Sequence, residues 1–137
     1  MLSIEVDLEG AVPVYQQIAD GIRALIARGL LAQGAELPGV RQLGAQVGVN
    51  LNTVARAYRI LAEEGLVDLK WGTAARVRES ARKPSSDEPL LDDEARRRLF
   101  DLFSRWVLRG AAQPEIQRAL KHATAEFFRM TTERSRR

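Results

Sequence analysis

The 137-residue sequence contains no cysteine and a single histidine, His122. Disulfide bonds and thiolate metal sites are therefore excluded, and so is a metal site built from several histidines of one chain. Aromatic residues make up only 6% of the chain against 45% hydrophobic residues, so we expect a compact and mainly aliphatic core. The absence of cysteine is consistent with a reducing compartment, and we predict a cytoplasmic location.

The sequence also lacks the features of a membrane protein and of an enzyme. No apolar run approaches the ~20 residues that a membrane-spanning helix needs. The first ten residues alternate and carry acids, unlike a signal peptide. There is no phosphate-binding glycine loop, no dinucleotide-binding fingerprint and no Ser-His-Asp arrangement. We therefore predict no membrane association, no enzymatic activity, no catalytic residue, no metal and no cofactor.

The positive charge is distributed unevenly along the chain. The formal net charge is +3, but residues 1–80 hold 8 basic and 9 acidic residues, whereas residues 81–137 hold 13 basic and 9 acidic residues. The first part is therefore close to neutral. If that part binds nucleic acid, its phosphate contacts must come from a few locally placed cations, and its non-specific affinity should be modest.

Residues 38–65, PGVRQLGAQVGVNLNTVARAYRILAEEG, carry the clearest functional pattern. They predict two short helices joined at a tight turn at Gly48. Asn50 is suited to cap the second helix through its side-chain oxygen, and Val54, Tyr58 and Leu61 form the inward stripe of that helix. This arrangement is typical of a helix-turn-helix, whose second helix can enter the major groove of DNA.

The residues on either side of this pattern complete a small domain. Residues 2–9 alternate between apolar and polar side chains, which indicates a strand or an extended arm with one buried face. Pro13 stands where a first helical residue would, and Gly29 is placed to end that helix. The alternation of residues 66–71 and 75–78 around Gly72 predicts a two-stranded hairpin, which forms a wing directly after the second helix of the motif.

The remainder of the chain is polar at first and then helical. Residues 80–89 have the composition of a linker, and two amphipathic helices follow that are too small to bury both apolar faces between them. We predict a winged helix-turn-helix domain over residues 1–79, a linker over 80–90, a helical dimerisation region over 91–131 and a disordered tail over 132–137.

The first domain resembles the winged-helix domain of GntR-type transcription regulators. The resemblance rests on three motifs in order: PVYQQI at 13–18, LPGVRQL at 37–43 and VGVNLNTVARAYRILAEEGLV at 47–67. It covers about residues 2–78, and the short tail is similar to the YtrA subfamily, whose members end in roughly two helices that dimerise. The resemblance implies a mostly α fold with a small β wing, followed by a short α-helical dimerisation hairpin.

Three positions depart from the pattern of that family. The family often has serine where this chain has Gly39, and it often has a basic residue where this chain has Ala55 followed by Arg56. Its wing commonly carries a Gly-x-Gly tip, whereas residues 71–74 read Trp-Gly-Thr-Ala.

We predict that the DNA contacts come from the helix-turn-helix and the wing. Asparagine can pair bidentately with adenine, and arginine donates two parallel hydrogen bonds to guanine or phosphate. The alternatives are local: Asn50 and Thr53 can serve as helix caps, Trp71 can pack on the hairpin, and the arginines can be solvated surface charges. The predicted DNA-binding residues are Arg41, Asn50, Asn52, Thr53, Arg56, Arg59, Lys70, Gly72 and Thr73.

The apolar residues of the tail predict a homodimer. Its interface is predicted to contain Leu99, Phe103, Trp106, Leu120 and Phe127, with an intramolecular core as the alternative. The sequence therefore predicts a cytoplasmic, sequence-specific transcription regulator, a repressor that binds double-stranded DNA at a roughly palindromic operator. Two other hypotheses stay open: a winged-helix module that binds protein and not DNA, and a sensor with a small effector, of unknown identity, between the tail helices.

Overall fold

The computed structural model describes residues 2–70, 72–79 and 89–132. The chain divides into two compact units, residues 1–83 and 84–137. The division lies in the segment predicted to be a linker, of which residues 80–88 lie outside the described residues. The predicted disordered tail begins one residue too early, because helix continues through Thr132; its residues 133–137 lie outside the described residues.

The first unit is built from three helices and two short strands. In chain order they are α1 (Val14–Ala27), α2 (Val40–Val47), α3 (Leu51–Glu63), β1 (Val67–Asp68) and β2 (Arg76–Val77). This order confirms the predicted winged helix-turn-helix. Helix α3 packs against both α1 and α2. The core members are aliphatic apart from one tyrosine: Ile18, Ala19, Ile22, Ile26, Leu31, Leu37, Leu43, Val54, Ala57, Tyr58, Leu61, Val67 and Val77.

The N-terminal residues form an extended arm, the second of the two predicted possibilities, and belong to no named strand. Leu2, Ile4 and Val6 pack against the core, while Ser3 and Glu5 between them are exposed. A Cβ at Gly21 would lie 3.3 Å from Cγ2 of Ile4. The arm therefore passes so close to α1 that the glycine, although unfavourable in a helix by about 1 kcal/mol, suits this position.

The helix ends follow their sequence signals closely. Gly48 ends α2 with φ of +76°, a conformation that residues with a side chain rarely adopt, so the predicted tight turn is confirmed. Pro13 precedes α1 as its N-cap instead of being its first helical residue, because the helix begins at Val14. Proline is suited to the N-cap and to the first helical position alike, because the N–H that it lacks would not form a hydrogen bond within the helix at either position.

The wing is shorter than its sequence pattern suggested and has an additional partner. Strands β1 and β2 are antiparallel, and Val67 pairs with Val77. Residues 34–37 run beside β2: the Gly34 N–H donates to the Val77 carbonyl at 2.8 Å, and the Val77 N–H donates to the Ala35 carbonyl at 2.9 Å. The segment between α1 and α2 therefore anchors the wing to the helical part of the domain. Sequence analysis did not identify the pairing of this segment with the wing.

The second unit consists of α4 (Asp93–Leu108) and α5 (Gln113–Thr132). Helix α4 begins at a cap in which Asp92 accepts a hydrogen bond from the Ala95 N–H at 2.7 Å. Gly110, with φ of +97°, lies in the connection between the helices. None of the described side chains of this unit is buried, so both apolar faces remain at least partly open to solvent.

Gly39 offers a test of the helix-turn-helix framework. It is the N-cap of α2, it has φ of −60°, and a Cβ there would meet nothing within 4 Å. Because a serine oxygen can accept a first-turn N–H that glycine leaves without a side-chain partner, Gly39→Ser should raise the free energy of unfolding by about 0.5 kcal/mol. Urea denaturation measures the change. Gly39→Ala is the control, and an equal gain in that variant would show that capping is not the cause.

Candidate nucleic-acid interface

Helix α3 has one buried face and one exposed face. Asn52, Arg56 and Arg59 are separated by four and three residues, so they lie on the same side of a helix with 3.6 residues per turn. All three side chains are exposed. Val54 and Leu61 lie on the opposite side and are fully buried. The core thereby fixes the rotation of α3 and presents a row of hydrogen-bonding side chains to solvent.

The N-terminal end of α3 has a side-chain cap, as the sequence predicted. Oδ1 of Asn50 accepts a hydrogen bond from the Asn52 N–H at 2.8 Å, which commits that oxygen to the helix. The side-chain amide of Asn52 and the hydroxyl of Thr53 have no hydrogen-bond partner within the described residues. Asn52 is exposed and Thr53 is half-buried, so of these two Asn52 is the better placed to reach a base.

A close backbone contact sets the geometry of α2 and α3. The Gly44 carbonyl accepts hydrogen bonds from the N–H groups of Gly48 and, at 2.9 Å, of Val49. A Cβ at Gly44 would lie 2.8 Å from the Val49 carbonyl oxygen and 3.5 Å from the Leu51 nitrogen. The start of α3 is therefore folded directly against α2, which is possible because position 44 has no side chain.

Tyr58 joins the beginning of α2 to the middle of α3. Its hydroxyl donates to the Pro38 carbonyl at 2.6 Å, and burial raises the pKa of Tyr58 to about 12. Two residues into α2, Arg41 is exposed. Because Pro38 directly precedes Gly39, the N-cap of α2, the hydrogen bond holds the end of the helix that carries Arg41.

Tyr58→Phe should expose the contribution of this hydrogen bond. The loss of the bond leaves the Pro38 carbonyl without that donor and should cost about 1 kcal/mol at neutral pH. A raised pKa in the folded state means that stability is complete below pH 10 and falls as the pH rises from 10 toward 12. Urea denaturation at pH 7, 10 and 11.5 should show this alkaline loss in the wild type and a smaller loss in Tyr58→Phe. An equal alkaline loss in both would assign it to other groups.

Ion pairs neutralise some of the cations of the first unit. Bonds of 2.6 to 2.9 Å join three arginines to carboxylates across the fold. The pairs are Arg23 with Glu64, Arg76 with Glu36 and Arg78 with Asp68. Two of these arginines lie in the wing, where the sequence alone allowed them to be simply solvated.

The cations of the predicted DNA face are different. Arg41, Arg56, Arg59 and Lys70 are exposed and have no ion pair within the described residues. The first unit is close to neutral overall, but its charges are unevenly placed. Carboxylates neutralise Arg23, Arg76 and Arg78, whereas the cations of the predicted DNA face have no acidic partner within the described residues. A potential of this kind attracts phosphate locally without a large net charge.

The wing tip is a tight turn at the end of the hairpin. The Lys70 carbonyl accepts hydrogen bonds from the Thr73 N–H at 3.2 Å and from its hydroxyl at 3.1 Å. Gly72 has φ of +75°, and Lys70, Gly72 and Thr73 are exposed. The predicted packing of Trp71 lies outside the described residues. The Thr73 hydroxyl bonds within the turn, whereas the Lys70 ammonium is available to a phosphate.

Sequence analysis missed the aromatic partner of Arg56. The guanidinium carbon of Arg56 lies 3.8 Å from the ring centroid of Tyr15, a cation–π contact between α3 and the first turn of α1. The only signal was the position of Tyr15 within the motif PVYQQI, and that motif does not reveal which residue its ring faces.

The predicted dimer residues of the second unit are incompletely covered. Leu99, Phe103, Trp106, Leu120 and Phe127 are all half-buried. The rings of Phe100, Phe103 and Trp106 follow one another along α4 with centroid separations of 6.3 and 6.1 Å. Phe100, which sequence analysis did not include, is 56% exposed. An open cavity of about 420 Å³ lies where α4 meets α5, between Trp106 and Ile116.

Residues 2–70, 72–79 and 89–132 contain neither a cluster of metal ligands nor a membrane-spanning helix. No group of three or more potential ligands in this part of the chain could hold a metal ion. None of its helices has the length and the hydropathy needed to cross a membrane.

The helix-turn-helix, the hairpin that follows it and the exposed face of α3 define a winged helix-turn-helix protein. The chain belongs to the GntR family: residues 14–77 match the family described as bacterial regulatory proteins, gntR family. This confirms the family resemblance seen in the three sequence motifs.

Three known proteins illustrate the similarity. The HTH-type transcriptional repressor YtrA of Bacillus subtilis is 33% identical over 79 residues, 58% of this chain and 61% of that protein. The structure of YtrA from Sulfolobus acidocaldarius, a GntR-family transcription factor, is 33% identical with a TM-score of 0.56, covering 74% of this chain and 97% of that chain. The AraR DNA-binding domain in complex with operator ORX1 is 26% identical with a TM-score of 0.50, covering 54% and 95%.

The match to curated relatives is partial in length. The aligned region spans 61%, 55% and 57% of three of them, so the match covers little more than half of each.

Proposed function

We propose that this chain is a sequence-specific DNA-binding transcription regulator that acts as a repressor and binds a roughly palindromic operator as a cytoplasmic homodimer. The observation that carries the proposal is the exposed face of α3, where Asn52, Arg56 and Arg59 lie in one row without carboxylate partners. The repressor name of the Bacillus subtilis relative and the operator complex of the AraR domain support it.

In this proposal α3 enters the major groove and reads base edges. Asn52 is suited to the N6 and N7 atoms of adenine, and Arg56 is suited to the O6 and N7 atoms of guanine. Arg41 and Lys70 lie at the start of α2 and on the wing, where they would contact phosphates on either side of α3. Phosphate contacts hold the register of the domain, while the contacts of α3 supply the sequence preference.

The helices of the second unit supply the dimer in this proposal. Their half-buried apolar residues would be covered by a second copy, which the absence of buried side chains among the described residues of this unit favours. A two-fold axis then places two copies of α3 in successive major grooves, with half-sites ~34 Å apart or a multiple of that distance.

Selection of bound duplexes from a random pool tests the proposal. We expect an enriched motif with inverted repeats, and binding that weakens as the salt concentration rises. An enriched single half-site would contradict the homodimer. Failure to bind random duplex even at low salt would contradict DNA binding and favour the alternative of a winged-helix module that binds another protein.

Trp106→Ala should weaken the homodimer. The indole is half-buried at the junction of α4 and α5, and removal of a large aromatic side chain from the centre of an interface commonly costs 2 kcal/mol or more, roughly a 30-fold weaker association. Sedimentation velocity over a concentration series measures the shift toward monomer. Leu108→Ala is the control, because Leu108 is 87% exposed and lies about 200° around α4 from Trp106. An unchanged dimer in Trp106→Ala would contradict the predicted interface.

A further inference from the structure

Tyr15 is placed where the inward stripe of α1 reaches the edge of the domain. Ile18, Ile22 and Ile26 follow it on the same side of the helix and are buried, whereas Tyr15 is half-buried. Tyr15 therefore lies at the margin of the core. Its ring contacts Arg56 of α3, with 3.8 Å between the guanidinium carbon and the ring centroid.

The first turn of α1 is itself firmly held. The Gln17 side chain accepts a hydrogen bond from the Asp7 N–H at 2.7 Å and donates to the carbonyls of Asp7 and Val12, both at 2.8 Å. These three bonds fasten the extended arm to the start of α1, within two residues of Tyr15. The backbone that carries Tyr15 is consequently anchored to the arm.

An aromatic ring holds an arginine in a way that a carboxylate cannot. The attraction acts through the face of the ring and uses none of the five N–H donors of the guanidinium. A carboxylate would engage two of these donors and neutralise the charge, as happens at Arg23 and Arg78 in the same domain. Arg56 has no ion pair within the described residues, so its charge and its hydrogen-bonding edge remain available.

We propose that Tyr15 is a positioning residue for DNA recognition: its ring orders the Arg56 side chain in the direction of the major groove and leaves the donors of the guanidinium for a base. The proposal rests on the proposed function. Arginine loses much rotational freedom when it binds a base edge, and a side chain ordered in advance loses less on binding. Tyr15 would therefore act on specificity through Arg56 and not through a contact of its own.

The test uses the full chain and the duplex enriched by selection, together with a second duplex in which the base pair read by Arg56 is changed. Arg56→Ala identifies that base pair as the one where discrimination is lost. Fluorescence anisotropy then compares wild type, Tyr15→Leu, Tyr15→Phe and the combinations of both with Arg56→Ala. Gln16→Ala is the structural control, because its amide donates to Asp20 on α1 itself.

We expect Tyr15→Leu to weaken operator binding roughly two- to fivefold, the equivalent of an exposed cation–π contact, and to narrow the discrimination between the two duplexes by a similar factor. Tyr15→Phe keeps the ring and should restore most of the discrimination. In the Arg56→Ala background, Tyr15→Leu should cause no further loss. The dependence on salt should stay the same, because the number of neutralised phosphates does not change.

Other outcomes would overturn the inference in identifiable ways. Equal losses in Tyr15→Phe and Tyr15→Leu would indicate a contact by the hydroxyl. A loss that persists in the Arg56→Ala background, or that Gln16→Ala shares, would indicate a structural effect on α1. Tyr15→Leu with wild-type affinity and discrimination would contradict the proposal directly. If wild type enriches no duplex at all, it is the proposed function that fails, and this result precedes any comparison of variants.

Discussion

Replacement of Arg56 by alanine should weaken binding to the selected operator by about 1–3 kcal/mol and relax the sequence preference at one base pair. Arg56 is exposed on the face of α3 opposite the core, and its guanidinium rests on Tyr15 without a carboxylate partner. A bidentate contact of this kind is lost completely on truncation to alanine. Asn52→Ala should have an effect of the same size at a different base pair.

Lys70→Ala is the comparison variant for this prediction, because it should remove a phosphate contact instead of a base contact. Lys70 is on the wing, where a phosphate contact carries no sequence information. Its removal should weaken binding to all duplexes about equally and reduce the salt slope by about 1. Wild-type operator affinity in both Arg56→Ala and Asn52→Ala would show that α3 is not oriented toward DNA as proposed.

Gly44→Ala should be the most damaging of the glycine substitutions in the first unit. The new Cβ would lie 2.8 Å from the Val49 carbonyl oxygen, a backbone atom that cannot rotate away. Overpacking costs about 1–3 kcal/mol, whereas alanine gains at most about 1 kcal/mol over glycine within a helix. We therefore expect a net loss of about 1–2 kcal/mol in the free energy of unfolding, together with weaker operator binding, because α3 is displaced from α2.

Urea denaturation and operator titration measure both effects. Gly39→Ala is a matched control at the start of the same helix, because a Cβ there meets nothing within 4 Å and φ is −60°. It should lower stability by only about 0.5 kcal/mol, because alanine is a poorer N-cap residue than glycine. If Gly44→Ala were as stable as this control and bound the operator normally, the contact between α2 and the start of α3 would not set the geometry of the site.

The helices were predictable because their signals are local. Apolar spacing placed α3 and its buried stripe of Val54, Tyr58 and Leu61, and the side chain of Asn50 marked its beginning. The left-handed conformation of Gly48 was predictable for the same reason, because glycine is favoured at the residue that ends a helix in that conformation. These features depend on residues a few positions apart, and the periodicity of one helix is enough to reveal them.

The partners of the site could not be predicted in the same way. Tyr15 and Arg56 are 41 positions apart, and residues 34–37 pair with a strand 40 residues further on. The pairing of Arg76 with Glu36 and of Arg78 with Asp68 is likewise a result of how the wing folds back. Such contacts depend on the relative placement of elements, which no repeating pattern in the chain encodes.

The sequence alone determined the class of the protein, the order of its elements and the residues that α3 turns away from the core, because hydrophobic periodicity and capping act over one or two helical turns. Only the tertiary structure decided which charges remain uncompensated. The carboxylates of Glu64, Glu36 and Asp68 come within hydrogen-bonding distance of three arginines, whereas Arg56 meets an aromatic ring. The physical reason is that electrostatic and ring contacts depend on distances of a few ångströms, and folding brings together residues that the sequence separates by ten to more than forty positions.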